Sequence, residues 1–311
     1  MDYHKELILI LDFGSQYTQL IARKTRELNV YCEIYPFNID IDKITALKPR
    51  GIILSGGPRS VNEQDAPICD KRVFELGIPI LGICYGLQLT AQSFGGKVEK
   101  SSKREYGKAH LSIDKKDKFL EGMNDGDVVW MSHQDKVLKM PKGFVTLAHS
   151  DNSPHAAIRD TKGMIYGVQF HPEVHHTPKG KRILKNFLYK ICGVKGLFSP
   201  KSFIELATEK IRSEAGDEVV VCALSGGVDS SVVAALIHRA IGSKLRCVFV
   251  NNGVLRKDEG QEVLKLFRDR LHMNLKYVDA EERFLKALKG VRDPERKRKI
   301  IGRLFIKVFE E

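Results

Sequence analysis

From Leu7 onward, short apolar runs alternate with stretches whose apolar positions recur at helical spacing. Leu7 to Leu11 precedes the helical pattern Tyr17 to Leu28, Gly51 to Leu54 follows, and Ile78 to Ile83 leads into Leu87 to Phe94. Unbroken apolar runs read as strands covered on both faces, so the alternation predicts an α/β fold with a doubly wound, mainly parallel sheet. Between about Ala109 and Val168 the apolar runs are shorter and are interrupted by Gly, Asp and Pro, which predicts antiparallel additions and hairpins. A helical pattern from Lys179 to Ile191 closes this stretch.

Gly193, Gly196 and Pro200 punctuate the next segment as a linker, and the expected division is residues 1–195 and 196–311. The alternation then restarts. Helix Ser202 to Ser213, strand Glu218 to Leu224, helix Ser230 to Ile241, strand Leu245 to Asn251, helix Asp258 to Leu271 and strand Asn274 to Val278 predict a second, Rossmann-like parallel unit with no repeat of the first sequence. The last pattern, Pro294 to Glu311, puts Ile300, Leu304 and Val308 on one helical face and carries no stop signal, so the second unit is expected to continue past Glu311.

Length and composition agree with two globular domains: 311 residues, 42% hydrophobic and 29% charged. No apolar run approaches the roughly 20 residues of a membrane span, and the polar start Met1 to Glu6 lacks a secretory pattern, so a cytoplasmic protein without a membrane partner is expected. The six cysteines show neither CxxC pairs nor zinc spacing and lie mostly in apolar stretches, as buried free thiols do. The net charge of +12 is spread along the chain, densest from Arg292 to Arg303, which suits phosphate-bearing small molecules better than a nucleic-acid partner.

Gly82-Ile83-Cys84-Tyr85-Gly86 lies between a predicted strand and a predicted helix. Small flanking residues permit a sharp turn there, and a helix N-terminus favours a thiolate, although a buried structural cysteine could share the pattern. His171-Pro172-Glu173 follows the predicted strand Tyr166 to Phe170; residues two apart on an extended segment point the same way, so Glu173 can hold His171 while the imidazole takes a proton from Cys84. Ser55-Gly56-Gly57-Pro58 follows another strand, and the N–H of Gly57 with that of Tyr85 could form an oxyanion hole, where an ordinary tight turn is the alternative.

These three pieces, in this order, make residues 7 to 191 resemble the class I glutamine amidotransferases, whose domain has a flavodoxin-like fold. The resemblance implies that Cys84, His171 and Glu173 are a nucleophile, base and orienting acid. It also implies that Gln88 and Ser132-His133-Gln134-Asp135 hold glutamine; many members have Gly where this chain has Gln134.

Asp12-Phe13-Gly14 is not a kinase signature, since no glycine-rich loop or HRD segment accompanies it. Ser225-Gly226-Gly227-Val228-Asp229-Ser230-Ser231 sits between a predicted strand and helix. Its glycines and hydroxyls suit a pyrophosphate at a helix N-terminus, and Asp229 could reach Mg2+, but it is neither a Walker A loop nor a GxGxxG turn. The segment resembles the phosphate loop of the N-type ATP pyrophosphatases. Joined to an amidotransferase domain and to the opening Asp12 to Gln16, it implies an ATP-dependent ligase that takes glutamine, ATP and xanthosine monophosphate (XMP) as substrates and forms a homodimer. The arginine matching Arg298 contacts the XMP phosphate in such relatives, with a solvated basic helix as the alternative. Asn251 stands where Asp is usual, so a role for that carboxylate does not carry over. Another amidotransferase of this type, for example one acting on an NAD precursor, or a non-catalytic regulatory relative, remain open readings.

Overall fold

The computed structural model of the protein describes residues 3–311, and of residues 101–104 only the backbone. Contacts divide the chain between Ser199 and Pro200 into two units.

The first unit is built on β1 (Ile8–Asp12), α1 (Thr18–Arg26), β2 (Cys32–Pro36), α2 (Ile41–Leu47), β3 (Gly51–Leu54), β4 (Ile80–Ile83) and α3 (Tyr85–Ser93). The second half of the unit supplies β5 (Lys97–Ile113), β6 (Asp127–Lys139), β7 (Phe144–His149), β8 (Ala157–Asp160), β9 (Ile165–Val168) and α4 (Gly180–Lys185). The strands form one nine-stranded sheet in the order β2-β1-β3-β4-β9-β8-β7-β5-β6. The β2-β1-β3-β4-β9 half is parallel and the remainder antiparallel. This is the doubly wound sheet with antiparallel additions that the apolar patterning predicted.

The core explains why the parallel strands carry unbroken apolar runs. Ile8, Ile10, Ile53, Leu81 and Ile83 pack into one layer, whereas Leu9, Leu11, Ile52, Leu54 and Ile80 pack into a second layer. Side chains alternate across each strand, so both faces of the sheet must be apolar.

Several details depart from the sequence reading. β2 and α2 were not anticipated: Cys32–Pro36 is too mixed to read as an apolar run, and α2 is a seven-residue helix started by Asp40, whose side chain accepts from the Asp42 N–H at 2.8 Å. The antiparallel part is not made of short strands alone. β5 has 17 residues and β6 has 13, paired with register shifts that let charged and polar positions continue a strand. The closing helix changes at Asn186 into a π-helical turn over Asn186–Ile191, where the Asn186 side chain donates to the Phe119 and Glu121 carbonyls at 3.0 and 2.9 Å.

The linker belongs to the first unit. Glu6 is buried, and its carboxylate accepts from the N–H groups of Lys195, Gly196 and Leu197 at 2.6, 3.0 and 3.0 Å. That anchoring is why the division falls after Ser199 and not after residue 195.

The second unit contains α5 (Pro200–Ala215), β10 (Val220–Leu224), α6 (Val228–Ile241), β11 (Leu245–Asn251), α7 (Glu259–Leu264, followed by a π-helical turn, Lys265–Arg270), β12 (Asn274–Asp279), α8 (Glu281–Leu288) and α9 (Pro294–Glu310). Its three strands are parallel in the order β10-β11-β12. The unpredicted α8 decides which face of α9 turns inward: Phe284 packs against Phe305 with ring centroids 5.1 Å apart, and Ile301, Leu304, Phe305 and Val308 form the packed stripe in place of one through Ile300. No helix among the described residues is long and apolar enough to cross a membrane.

Replacing Glu6 strands three backbone donors at once. Glu6→Ala is expected to destabilise the first unit by about 2–4 kcal/mol in urea unfolding, with Glu6→Gln between it and wild type, since hydrogen bonds to a charged group contribute about 1.5–3 kcal/mol each but not additively. A loss under about 0.5 kcal/mol would remove the anchoring role.

Candidate active site

Cys84 occupies the turn between β4 and α3 with φ 53° and ψ −101°. A non-glycine residue there costs on the order of 1–3 kcal/mol and persists only when its surroundings enforce it. They do so through hydrogen bonds from the Cys84 N–H to the Val168 carbonyl at 2.7 Å and from the Gly86 N–H to the Ser55 carbonyl at 3.2 Å. The neighbouring glycines are required by space: a Cβ on Gly82 would lie 2.5 Å from the Gly86 carbonyl, and one on Gly86 would strike the Leu54 carbonyl. The strain projects the sulfur from the start of α3, where its hydrogen-bond contacts are the Ser132 carbonyl and the Gln169 amide nitrogen, both at 3.7 Å.

His171 and Glu173 lie beyond β9, His171 just after a bend at residues 169–170 and Glu173 in a turn, not on an extended strand. The pairing is nevertheless made, by the turn: His171 Nδ1 is 2.7 Å from Glu173 Oε1. The His171 backbone is fixed on both sides, its N–H donating to the Trp130 carbonyl at 3.0 Å and its carbonyl accepting from the Thr177 hydroxyl at 2.7 Å. Tyr17 meets the ring edge-on with centroids 5.2 Å apart. With Nδ1 committed to the carboxylate, Nε2 is the nitrogen available to a nucleophile. Burial opposes charging of this imidazole, but the Glu173 carboxylate and the Cys84 sulfur beside it outweigh burial and raise its pKa well above the ordinary value. Glu173 is fully buried.

Cys84 and His171 line one cavity of about 670 Å³ together with Gly57, Tyr85, Gln88, Ser132, His133, Gln134 and Asp135. Gly57 approaches closely: a Cβ there would sit 3.0 Å from the Phe13 carbonyl and 3.1 Å from the Tyr85 ring. Tyr85 is the first residue of α3, where a backbone N–H has no acceptor within the helix. Gln88 is buried and donates to the Asp135 carbonyl at 2.7 Å and to Gln169 Oε1 at 3.4 Å. Asp135 Oδ2 is buried without a hydrogen-bond partner. Gln134 lies exposed within β6 with no positive φ, so its backbone does not require glycine.

The arrangement has the parts that acyl transfer uses: a sulfur on a strained turn, an imidazole oriented by a buried carboxylate, and Gly57 and Tyr85 lining the same cavity. Sequence reasoning missed Gln169, which touches the sulfur, and Tyr17, which abuts the base. Gln169 stands two residues before His171, and that spacing was the only available signal.

In the second unit, Ser225–Ser231 joins β10 to α6. Gly226 has φ +78°, Gly227 caps the helix, and the Ser230 and Ser231 hydroxyls donate to the Gly227 carbonyl at 3.1 and 2.7 Å. Ser225 is tied to Ser230, hydroxyl to hydroxyl, at 3.0 Å. Val228 and Asp229 are exposed on the first turn of α6. Asn251 uses its amide as a carboxylate could not, donating to Asp279 at 3.1 Å and Glu281 at 3.2 Å. Arg298 is exposed on α9 and paired with Glu295 of its own helix at 2.8 and 2.9 Å. No group of three or more His, Cys, Asp or Glu able to hold a metal occurs among the described residues.

Residues 9–191 match the glutamine amidotransferase class-I family and residues 201–300 the NAD synthase family. A Thermoplasma acidophilum protein described as a GMP synthase subunit is 31% identical, with a TM-score of 0.56 covering 65% of this chain and 96% of that one. A Thermotoga maritima glutamine amidotransferase, 17% identical with a TM-score of 0.52 over 61% of this chain and 100% of that one, shares the fold. The chain belongs to the class-I glutamine amidotransferase family. Within it, the chain is 57% identical over 308 residues to GMP synthase [glutamine-hydrolyzing] of Acetivibrio thermocellus (99% of this chain) and 57% identical to that of a Nitratiruptor species (98% of this chain). It spans 60% of the length of each of these relatives.

Glu173 is the largest influence raising the His171 pKa, and without it only the Cys84 sulfur is left to oppose burial. Glu173→Gln should move the His171 titration, followed by NMR, downward by about one pH unit or more. An unchanged midpoint would separate the two residues electrostatically.

Proposed function

We propose that the protein hydrolyses the side-chain amide of glutamine at Cys84 and passes the ammonia to XMP that its second unit activates with ATP and Mg2+, giving GMP, AMP and pyrophosphate. The observation that carries the first half is the convergence of the strained Cys84 and the buried His171–Glu173 pair on one cavity. The choice of acceptor rests on the 57% identity to glutamine-hydrolysing GMP synthases.

In this reading the Cys84 sulfur attacks the amide carbon while His171 manages the proton, delivering it to the departing ammonia. The Gly57 and Tyr85 N–H groups hold the oxyanion, and water then cleaves the thioester to glutamate and free thiol. Gln88 and Ser132 to Asp135 hold the substrate, with the unpartnered Asp135 Oδ2 suited to its ammonium group.

The Ser225–Ser231 loop offers backbone N–H groups and hydroxyls at a helix N-terminus, a donor set that fits a polyphosphate. Asp229 alone fits Mg2+ only as a partial ligand shared with substrate phosphates, as this cation often binds. The chemistry supplied there is adenylation of the xanthine O2, after which ammonia displaces AMP. Arg298 would exchange Glu295 for the XMP phosphate. Homodimer formation and a cytoplasmic location belong to the same proposal. A second reading, amination of an NAD precursor, is favoured only by the family match of residues 201–300, and turnover with both acceptors separates the two.

Cys84→Ala should remove glutamine-dependent glutamate release, at least about a hundredfold, yet leave ammonia-dependent amination of XMP intact, because free ammonia enters after the thiolate step. Substantial glutaminase activity in the variant would overturn the role of Cys84. Failure of XMP, with an NAD precursor accepted, would overturn the acceptor.

A further inference from the structure

A second buried carboxylate–imidazole pair stands behind the wall of the same cavity. Glu105 on β5 and His133 on β6 are directly paired across the antiparallel ladder, so their side chains share one face. His133 Nε2 lies 3.2 Å from Glu105 Oε2, and both residues are more than nine-tenths buried. Glu105 is in turn gripped by the Ser150 hydroxyl at 3.2 Å and the Ser153 hydroxyl at 2.9 Å, both buried in the connection between β7 and β8. Ser153 Oγ also lies 3.4 Å from His133 Nε2.

The other ring nitrogen faces the cavity wall. His133 Nδ1 is 2.9 Å from the Asp135 carbonyl, which also accepts from Gln88 at 2.7 Å. A carbonyl can only accept, so Nδ1 is the donor there, while Nε2 faces the Glu105 carboxylate and the Ser153 hydroxyl. Burial pushes the Glu105 carboxyl up, but hydrogen bonds from His133 and Ser153 outweigh it and hold its pKa below the ordinary value. The bonded series then continues from the Asp135 carbonyl through Gln88 and Gln169 to the Cys84 sulfur. Both nitrogens of the His133 imidazole are thereby engaged, which leaves its backbone to meet a substrate.

We propose that Glu105, held by Ser150 and Ser153, is a positioning residue for the glutamine site: through His133 it fixes the Ser132–Asp135 backbone and the Gln88 amide against the substrate. This rests on the glutaminase reading above. The role differs from that of Glu173, which orients the base; Glu105 orients the wall that the substrate lies against, and its loss should weaken binding more than turnover.

The test is glutaminase kinetics of Glu105→Ala and Glu105→Gln, with iodoacetamide alkylation of Cys84 as a readout that needs no glutamine chemistry. Glu105→Ala should raise KM for glutamine at least about tenfold while kcat stays within about threefold. Glu105→Gln, which keeps the length of the side chain and one acceptor oxygen but loses the charge, should raise KM only about threefold. Alkylation of Cys84 in either variant should stay within about twofold of wild type, since the sulfur's own surroundings are retained. Where Glu105→Ala does not fold, Glu105→Gln decides. A KM within about twofold of wild type in both folded variants, or a fall in kcat and alkylation with KM unmoved, would overturn the proposal. Wild-type protein that is alkylated at Cys84 but releases no glutamate from glutamine would overturn the underlying reading and this inference with it.

Discussion

The backbone of Cys84 is held at a positive φ that its side chain disfavours, and the arrangement of the first unit follows from that constraint. β4 ends and α3 begins around one residue, so the sulfur is thrust out from the sheet's edge at the start of a helix. The turn tolerates nothing larger than glycine at positions 82 and 86, because backbone from Leu54, Gly86 and Leu87 fills the space. β3, β4 and β9 must therefore be correctly paired before Cys84 can adopt its conformation, since Ser55, at the end of β3, and Val168, in β9, supply the hydrogen bonds that hold it. Sheet formation and assembly of the site are the same event.

Around that fixed point, charge is placed out of reach of water. Glu173 is fully buried with one oxygen on His171 and the other without a partner, an expensive arrangement that a purely structural turn would not need. Glu105 repeats the motif with better satisfaction, accepting from His133 and two serines. In the proposed mechanism one pair sets the base and the other sets the wall. Both pairs are buried, where effective dielectric is low and geometry is held tightly.

Apart from β2, the parallel half of the sheet was legible because burial on both faces forces unbroken apolar runs, and Ile8 to Leu11 or Ile52 to Leu54 admit no other economical reading. β5 and β6 were not, because strands lining a cavity carry residues such as Glu105, His133 and Asp135 at positions that composition assigns to loops. α8 was missed since its single buried anchor, Phe284, gives too weak a periodicity. At the site, the proximity of Cys84 to His171 was readable from motif order, although the pairing of His171 with Glu173 is made by a turn and not by a strand. Gln169 and Glu105 escaped notice because their importance depends on contacts between residues 85 and 28 positions apart, to Cys84 and His133, which no local spacing encodes. In the second unit, the Ser225–Ser231 loop was legible from its glycines, whereas the use of the Asn251 amide by Asp279 and Glu281 was not.

Of the six cysteines, Cys84 alone is placed to act as a glutamine-directed nucleophile. All six are buried, but Cys84 alone lines the cavity shared with His171, whereas burial raises the thiol pKa of Cys32, Cys69 and Cys247 to about 11 and raises those of Cys192 and Cys222 as well. Peptide mass spectrometry after treatment of the protein with a diazo-ketone analogue of glutamine distinguishes the six. A single adduct is expected, on Cys84, and glutamine should suppress its formation. Modification spread over several cysteines, or an adduct on Cys84 that glutamine does not slow, would refute the role of Cys84 as that nucleophile.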